Sequence, residues 1–261
     1  MLSHKLLLLL YPFFIVLSAC IRSDSSAGDK DEFTQKIVDR SLEYSGLDKM
    51  NQAQIEFRLR DRDYIYKMKK GRFEYTRIFI APEGDTLIDV LSNEGLQRWT
   101  NRQLIDLSDP WRQAYTNSIN GVIYYAFLPY RLNDPAVIKE YMGITDIAGK
   151  AYHKIKVTFQ EEGGGEGFED IYLFWFEKET LSLDFFAYQY FSDGGGIRFR
   201  KAVNRRVING IAFQDHLNYK PADTANVLID QIEVAFENDE LELLSEINLE
   251  NILVTYSPEI D

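Results

Sequence analysis

The residues with the most chemical content lie on the two arms of one expected hairpin, 197–208 and 211–220, joined by Asn209-Gly210. Asn-Gly is the pair that a two-residue type I′ turn requires, because both of its central residues take positive φ. With residue 208 opposite 211, Arg206 faces Phe213, Asn204 faces Asp215, Ala202 faces Leu217 and Arg200 faces Tyr219. One face then gathers Arg198, Arg200, Asn204, Arg206, Asp215 and Tyr219 among apolar neighbours. A one-residue bulge would swap that pairing and restore an apolar face of Val203 and Val207 beside Phe213 and Leu217. The polar cluster has two readings. It is either a salt-bridge network that stiffens the sheet, or a cavity lining that recognises an anionic headgroup or a carboxylate.

Acid–base and metal chemistry have fewer carriers. His153 shares the parity of Ile155, Val157 and Phe159, which is the setting of a core histidine more often than of a catalyst. A hydrolase built from this chain would have to use Asp215 with His153, since there is no Gly-x-Ser-x-Gly elbow. No His-x-His, His-Glu-x-x-His or cysteine cluster is present, so neither a metal site nor a cofactor is expected. The segment 161–170 offers five carboxylates on a glycine-rich backbone but lacks the spaced ladder of a calcium loop, and reads as a solvated hairpin loop. These features lean away from an enzyme.

The elements that would position these residues are mostly strands. Segments 151–159, 171–176, 181–191, 197–208 and 211–220 are β-branched and aromatic runs bounded by Gly and Asn clusters, the pattern of an antiparallel meander. Segments 54–60, 64–69, 73–80, 86–92 and 96–99 form a second series with tight turns. In the first of these, Ile55, Phe57 and Leu59 alternate with polar residues, so one face is buried and the other wet. Helical spacing predicts one helix over 32–44, stopped by Gly46, and a second that Ser108 or Asp109 caps, with Pro110 in its first turn, running towards Phe127. Asn133 or Asp134 caps a shorter helical turn that opens with Pro135. In the tail, 223–236 is compatible with strand or helix, and 252–256 returns to an edge of the sheet. The expected class is α+β, mainly β: a curved antiparallel sheet with helices packed over its concave side. Trp111, Phe174, Trp175, Phe185 and Tyr188 would furnish the wall of a ligand cavity, with Arg198 or Arg200 at its polar end.

Composition fits such a core. The 261 residues are 45% hydrophobic and 14% aromatic, with 16 Tyr and 17 Phe. A net charge of -12 repels phosphate backbones, which argues against nucleic acid as a partner. Lys5 precedes an apolar run from residue 6 to 17 that Pro12 interrupts and that is short for a membrane span. Residues 1–19 therefore read as a signal peptide. Leu17-Ser18-Ala19-Cys20 resembles a bacterial lipobox, and Cys20 is the only cysteine in the chain. The resemblance implies that Cys20 carries a diacylglyceryl group, is anchored in the membrane by its acyl chains, and, with Ile21 rather than Asp following, is sorted to the outer membrane. Residues 20–31 read as a polar tether and 32–261 as one domain, expected to be monomeric.

Four stretches carry a family resemblance: 120–135 (Asn-Gly-Val-Ile-Tyr-Tyr-Ala-Phe-Leu-Pro-Tyr-Arg-Leu-Asn-Asp-Pro), 152–159 (Tyr-His-Lys-Ile-Lys-Val-Thr-Phe), 194–200 (Gly-Gly-Gly-Ile-Arg-Phe-Arg) and 218–221 (Asn-Tyr-Lys-Pro). They look like segments of an uncharacterised lipoprotein family of the Bacteroidota, which has no assigned activity. The order of strands and helices resembles the lipoprotein carrier LolA and receptor LolB, in which helices lid an open half-barrel around an apolar cavity. The resemblances imply an envelope lipoprotein that binds a lipid or lipoprotein acyl chain, with Asp215 and Tyr219 beside the arginines in its site. The alternatives are an envelope hydrolase using Asp215 and His153, and a non-catalytic surface interaction module.

Overall fold

The computed structural model describes residues 25–222 and 227–256. The expected signal peptide, Cys20 and residues 21–24 lie outside the described residues, as do 223–226. Two seven-stranded antiparallel sheets form the frame. The first is built from β1 (Ala53–Leu59), β2 (Arg62–Lys69), β3 (Arg72–Ile80), β4 (Thr86–Ser92), β5 (Gly95–Thr100) and β6 (Gln103–Ile105) in chain order, and β14 (Leu249–Tyr256) closes it beside β1. The second runs β7 (Val137–Ile147), β8 (Lys150–Phe159), β9 (Ile171–Glu177), β10 (Leu183–Tyr190), β11 (Gly196–Ile208), β12 (Ile211–Pro221) and β13 (Leu241–Ile247). The class is the expected α+β, mainly β. The strands, however, divide into two sheets instead of bending as one, and the C-terminal segment joins the sheet made by the N-terminal half.

The main core lies between the sheets. It unites Ile55, Phe57, Tyr66 and Tyr75 of the first sheet with Ile155, Phe174, Phe186 and Phe213 of the second. Two helices fill that space. In α1 (Ser25–Ser45), Ile37, Val38 and Leu42 are buried; the helix starts before the expected residue 32 and takes in 25–31 of the expected tether. In α2 (Asp109–Ala126), Ser108 in extended conformation precedes Pro110 in the first turn, and Ile119 and Ile123 are fully buried. Phe127, just past its end, meets Phe57 and Tyr66 on one sheet and Phe213 on the other at centroid distances of 5.7, 5.2 and 6.4 Å. A smaller core lies on the outer face of the second sheet, where α3 (Ile232–Glu237) packs on Trp175, Phe185 and Phe199.

The Asn209-Gly210 turn forms as expected, with φ of 46° and 84° and residue 208 opposite 211. The unbulged pairing holds near the turn and a bulge follows, but the apolar face of Val203 and Val207 beside Phe213 and Leu217 does not form, because Val207 faces Ala212 and is 69% exposed. Arg206 faces Phe213 near the turn, then a bulge shifts the register so that Val203 faces Asp215 and Arg200 faces Asn218, not Tyr219. The expected helical turn at Pro135 is instead a 3-10 turn at Tyr130–Asn133, and Pro135 leads into β7. Segment 229–237, left open between strand and helix, is helical. β6 and β7 have no counterpart in the sequence reading. In β7 both parities mix apolar and charged residues, Val137 and Lys139 on one side and Ile138 and Glu140 on the other, so no period-2 signal emerges.

Gly46 terminates α1 in the left-handed region, with φ of 66°, directly against the β11–β12 turn. A Cβ there would sit 1.9 Å from the Gly210 carbonyl oxygen. Gly46→Ala is therefore expected to destabilise the protein by more than about 1 kcal/mol, seen as a fall of several degrees in the midpoint of thermal unfolding; an unchanged midpoint would show that this junction yields.

Candidate ligand site between the sheets

Cross-strand register assembles a wall on the inner face of the second sheet. Ile155, Phe174, Phe186, Arg200 and Asn218 are successive partners across β8 to β12, so their side chains share one face. The neighbouring row holds Val157, Tyr172, Tyr188 and Arg198. Tyr125 of α2 lies on this wall. Its ring stacks on Phe186 at 5.9 Å and tilts against Tyr188 at 5.4 Å.

Arg200 is the unusual member. Its residue is only 8% exposed, and its guanidinium carbon lies 4.5 Å from the Tyr125 ring centre, 5.3 Å from Phe186 and 5.4 Å from Tyr188. One Nη donates to the Tyr188 hydroxyl at 3.2 Å, whereas Nε has no partner. Asn218, opposite it, donates to Ser245 Oγ at 3.1 Å and leaves its own Oδ1 unpartnered. Among the described residues no carboxylate pairs with Arg200. His216 packs edge-on against Phe186 at 5.3 Å, and its Nε2 accepts a hydrogen bond from the Gln214 amide at 3.2 Å. Burial, followed by the charges of Arg200 and Arg205, pushes His216 down to about 3, so its ring is neutral.

The first sheet offers a second cationic row to the same helix. Arg77, Asp89 and Arg98 are cross-strand partners on β3, β4 and β5, all buried. Arg77 reaches Asp89 Oδ2 at 2.9 and 2.6 Å, and Arg98 reaches Oδ1 at 2.6 Å. Arg77 also donates to Ser118 of α2 at 2.9 Å, and the Arg98 guanidinium lies 3.6 Å from the Tyr115 ring centre. Two cations share one carboxylate, so with Arg200 the interior is positive while the whole chain carries -12. Tyr115 and Tyr125, about 15 Å apart along α2, cover the two cationic spots.

The space itself is closed. A small hollow bordered by Tyr125, Leu128, Leu183, Arg205, Gln214 and His216 holds about 10 Å³, room for one water. The open cavity expected from the sequence is thus occupied by α2 and its neighbours.

The expected site residues divide accordingly. Phe174, Tyr188 and Arg200 line the interior together, and Arg198 lies at its margin, donating to the Tyr190 hydroxyl at 2.9 Å. Trp175, Phe185 and Tyr219 point to the opposite face, because adjacent residues of a strand alternate sides. There Phe185 and Tyr219 meet Phe236 at 5.9 and 5.4 Å, and Trp175 lies under Lys154, whose Nζ is 2.5 Å from Glu233 of α3. Trp111 is 59% exposed at the start of α2 and stacks on Tyr115. Asp215 is consumed structurally: it accepts from Arg206 at 3.0 Å, Asn204 at 3.3 Å and the Leu249 backbone N–H at 2.9 Å. His153 pairs with the Tyr141 hydroxyl at 2.9 Å, so the Asp215–His153 pair of the hydrolase alternative does not form. Tyr125, Phe186 and Asn218 belong to the site although sequence reasoning did not select them. Phe186 could have been found from its shared parity with Tyr188. Tyr125 and Asn218 depend on helix docking and on the bulge.

Among the described residues no group of three or more His, Cys, Asp and Glu could hold a metal ion, and no helix is long and apolar enough to cross a membrane. Residues 12–249 match DUF6503, a family of unknown function. The chain belongs to that family. No curated protein matches it. Solved structures similar to this DUF6503 protein include a LolA superfamily protein from Nitrosomonas europaea, at 12% identity, covering 85% of this chain and 91% of that one with a TM-score of 0.43. A putative outer membrane lipoprotein-sorting protein domain from Vibrio parahaemolyticus matches at 7% identity, 90% and 95% coverage and a TM-score of 0.39. The Mycobacterium tuberculosis lipoprotein LppX matches at 9% identity, 63% and 91% coverage and 0.29.

Two measurements test the electrostatics. Asp89→Asn leaves Arg77 and Arg98 buried without their shared carboxylate and is expected to cost about 3–5 kcal/mol in urea unfolding; a loss under about 1 kcal/mol would mean that water reaches the row. His216 titrates near 6.5 when unfolded and at about 3 when folded. Its contribution to stability is therefore complete above pH 6.5 and declines as pH falls towards 3, with a slope approaching about 1.4 kcal/mol per pH unit. His216→Gln should remove about 1 kcal/mol of the stability change between pH 6.5 and 5.5, and an unchanged pH dependence would place a charged imidazole in the fold.

Proposed function

We propose that this DUF6503 protein is an envelope lipoprotein, anchored in the outer membrane through acylated Cys20, that takes up an amphipathic, acyl-bearing ligand between its two sheets. The observation that carries the reading is the way α2 occupies the interior. The walls are aromatic on both sides, with Phe57, Tyr66 and Tyr75 opposite Phe174, Phe186 and Tyr188. The helix between them has Asn120 and Gly121 at its centre, which weaken it by about 1 kcal/mol or more relative to alanine. Only Ile119 and Ile123 of its residues are fully buried, and two of its rings rest on guanidinium groups. An acyl chain offers the walls the same apolar contact, worth about 0.8 kcal/mol per buried methylene, so ligand and helix compete for one space. Phe174, Tyr188 and Arg200 contact the ligand in this reading, with Arg198 at the mouth. The second reading, a non-catalytic interaction module, is favoured by the filled interior itself.

Hydrogen exchange separates the two readings. On addition of dodecanoate, backbone amides of 115–127 should lose protection at least tenfold while those of β8 to β12 keep theirs. Unchanged exchange throughout, together with a ligand-free mass in native mass spectrometry, would leave the interaction module standing.

A further inference from the structure

We propose that Arg200 and Asn218 form a binding subsite for an anionic headgroup, a carboxylate or a phosphate, at one end of the space that α2 fills. The inference rests on the amphiphile reading and names the chemistry of its polar end. Arg200 is more than nine-tenths buried, and its Nε has no partner. Asn218 is buried opposite it with a free Oδ1 and an amide group held by Ser245. A guanidinium is built for planar, two-pronged contact with a carboxylate or phosphate oxygen pair, yet in the closed state it meets only the Tyr188 hydroxyl and three ring faces. Ring faces supply a small part of what an anion supplies to a desolvated cation. Tyr125 is the cover. It belongs to the helix that must leave for a ligand to enter, and its departure bares the guanidinium towards the interior.

Among the described residues the other buried cations, Arg77, Arg98 and Lys154, are each paired with a carboxylate. Asp89 accepts from both Arg77 and Arg98. On the outer face a groove of about 360 Å³ is bordered by Lys150, Lys201 and Arg205, but Arg205 ends on Asp184 and Gln214. Arg206 is held by Asp215, and Lys154 by Glu233. The neutral ring of His216 beside Phe186 avoids adding a second proton charge next to Arg200 and completes a setting in which one cation awaits one anion.

The test uses the full chain held in amphipol, with an empty-amphipol blank, and isothermal titration of dodecanoate, dodecyl phosphate, dodecanol, acetate and inorganic phosphate. The expected result is that the two anionic amphiphiles bind at least tenfold more tightly than dodecanol, and that Arg200→Gln removes that gap without weakening dodecanol. Arg200→Lys, which keeps the charge but loses the planar fork, should leave an intermediate gap. The wild-type comparison of dodecanoate with dodecanol stands even if a variant fails to fold. Equal affinity for all three amphiphiles overturns the anion subsite and leaves the amphiphile reading intact. Acetate or phosphate binding as tightly as dodecanoate, and lost in Arg200→Gln, supports the anion subsite and removes the acyl ligand. No binding of any probe overturns both.

Discussion

Two sheets with aromatic inner faces cannot leave a void between them, and the need to fill that space organises the whole structure. Sheets that pack directly lie about 10 Å apart, whereas a helix with its side chains is itself about 10–12 Å across. Placing α2 between the sheets therefore holds them further apart than a sandwich would. Phe127 then becomes a bridge, since its ring meets both sheets at the end of the helix. α1 seals one side against β7 and β8 through Phe33, which meets Tyr141 and His153 edge-on. The C-terminal segment contributes β13 to one sheet and β14 to the other, so the chain ends by tying the two halves of the frame together.

The electrostatic arrangement follows from the same geometry. A carboxylate shared by two arginines is tolerable where it bonds to both, and Asp89 does so with Oδ1 towards Arg98 and Oδ2 towards both guanidinium groups. Beyond Asp89 they meet Phe79 of their own sheet and reach α2 through Ser118 and Tyr115. Helix docking thus completes a charged row that the sheet alone leaves unfinished. Arg200 of the second sheet has no such carboxylate among the described residues, and is met by three ring faces and the Tyr188 hydroxyl. α2 consequently has two different grips: one near its middle that bonds to a guanidinium, and one near its end where the Tyr125 ring covers a guanidinium and its hydroxyl pairs with that of Tyr172 at 3.1 Å.

How far the sequence shows this depends on burial. The first series of strands is legible because one face is wet: β1 and β2 alternate buried and half-buried residues. β9 is buried along Tyr172–Phe176 without interruption, because α2 covers one face and α3 the other. A strand buried on both sides carries no parity signal, which is why Phe174 and Trp175 read as one wall when they belong to two. Asp215 misled for a different reason. Its local neighbours are arginines at hairpin distance, but the partner that fixes its role, the Leu249 N–H, comes from the far end of the chain. The type I′ turn and the two ends of α2 were visible because turn and cap residues act locally.

The bulge between Val203 and Arg206 decides which groups share a face with Arg200. Without it, Arg200 would oppose Tyr219, whose ring would then turn inwards, and the guanidinium would meet another aromatic face. With it, Tyr219 points outwards to Phe236, and Asn218 comes in beside Arg200 with an unused acceptor. A leucine or methionine at position 200 would pack between Tyr125, Phe186 and Tyr188 without the several kcal/mol that burying a guanidinium costs. The closed conformation is therefore less stable than the same fold with an apolar residue there. Lower stability of the closed state shortens the energetic distance to one in which α2 has moved aside. On the proposed anion subsite, a charge that weakens the closed form and gains a partner in an open form would bias the helix towards leaving when an anion arrives.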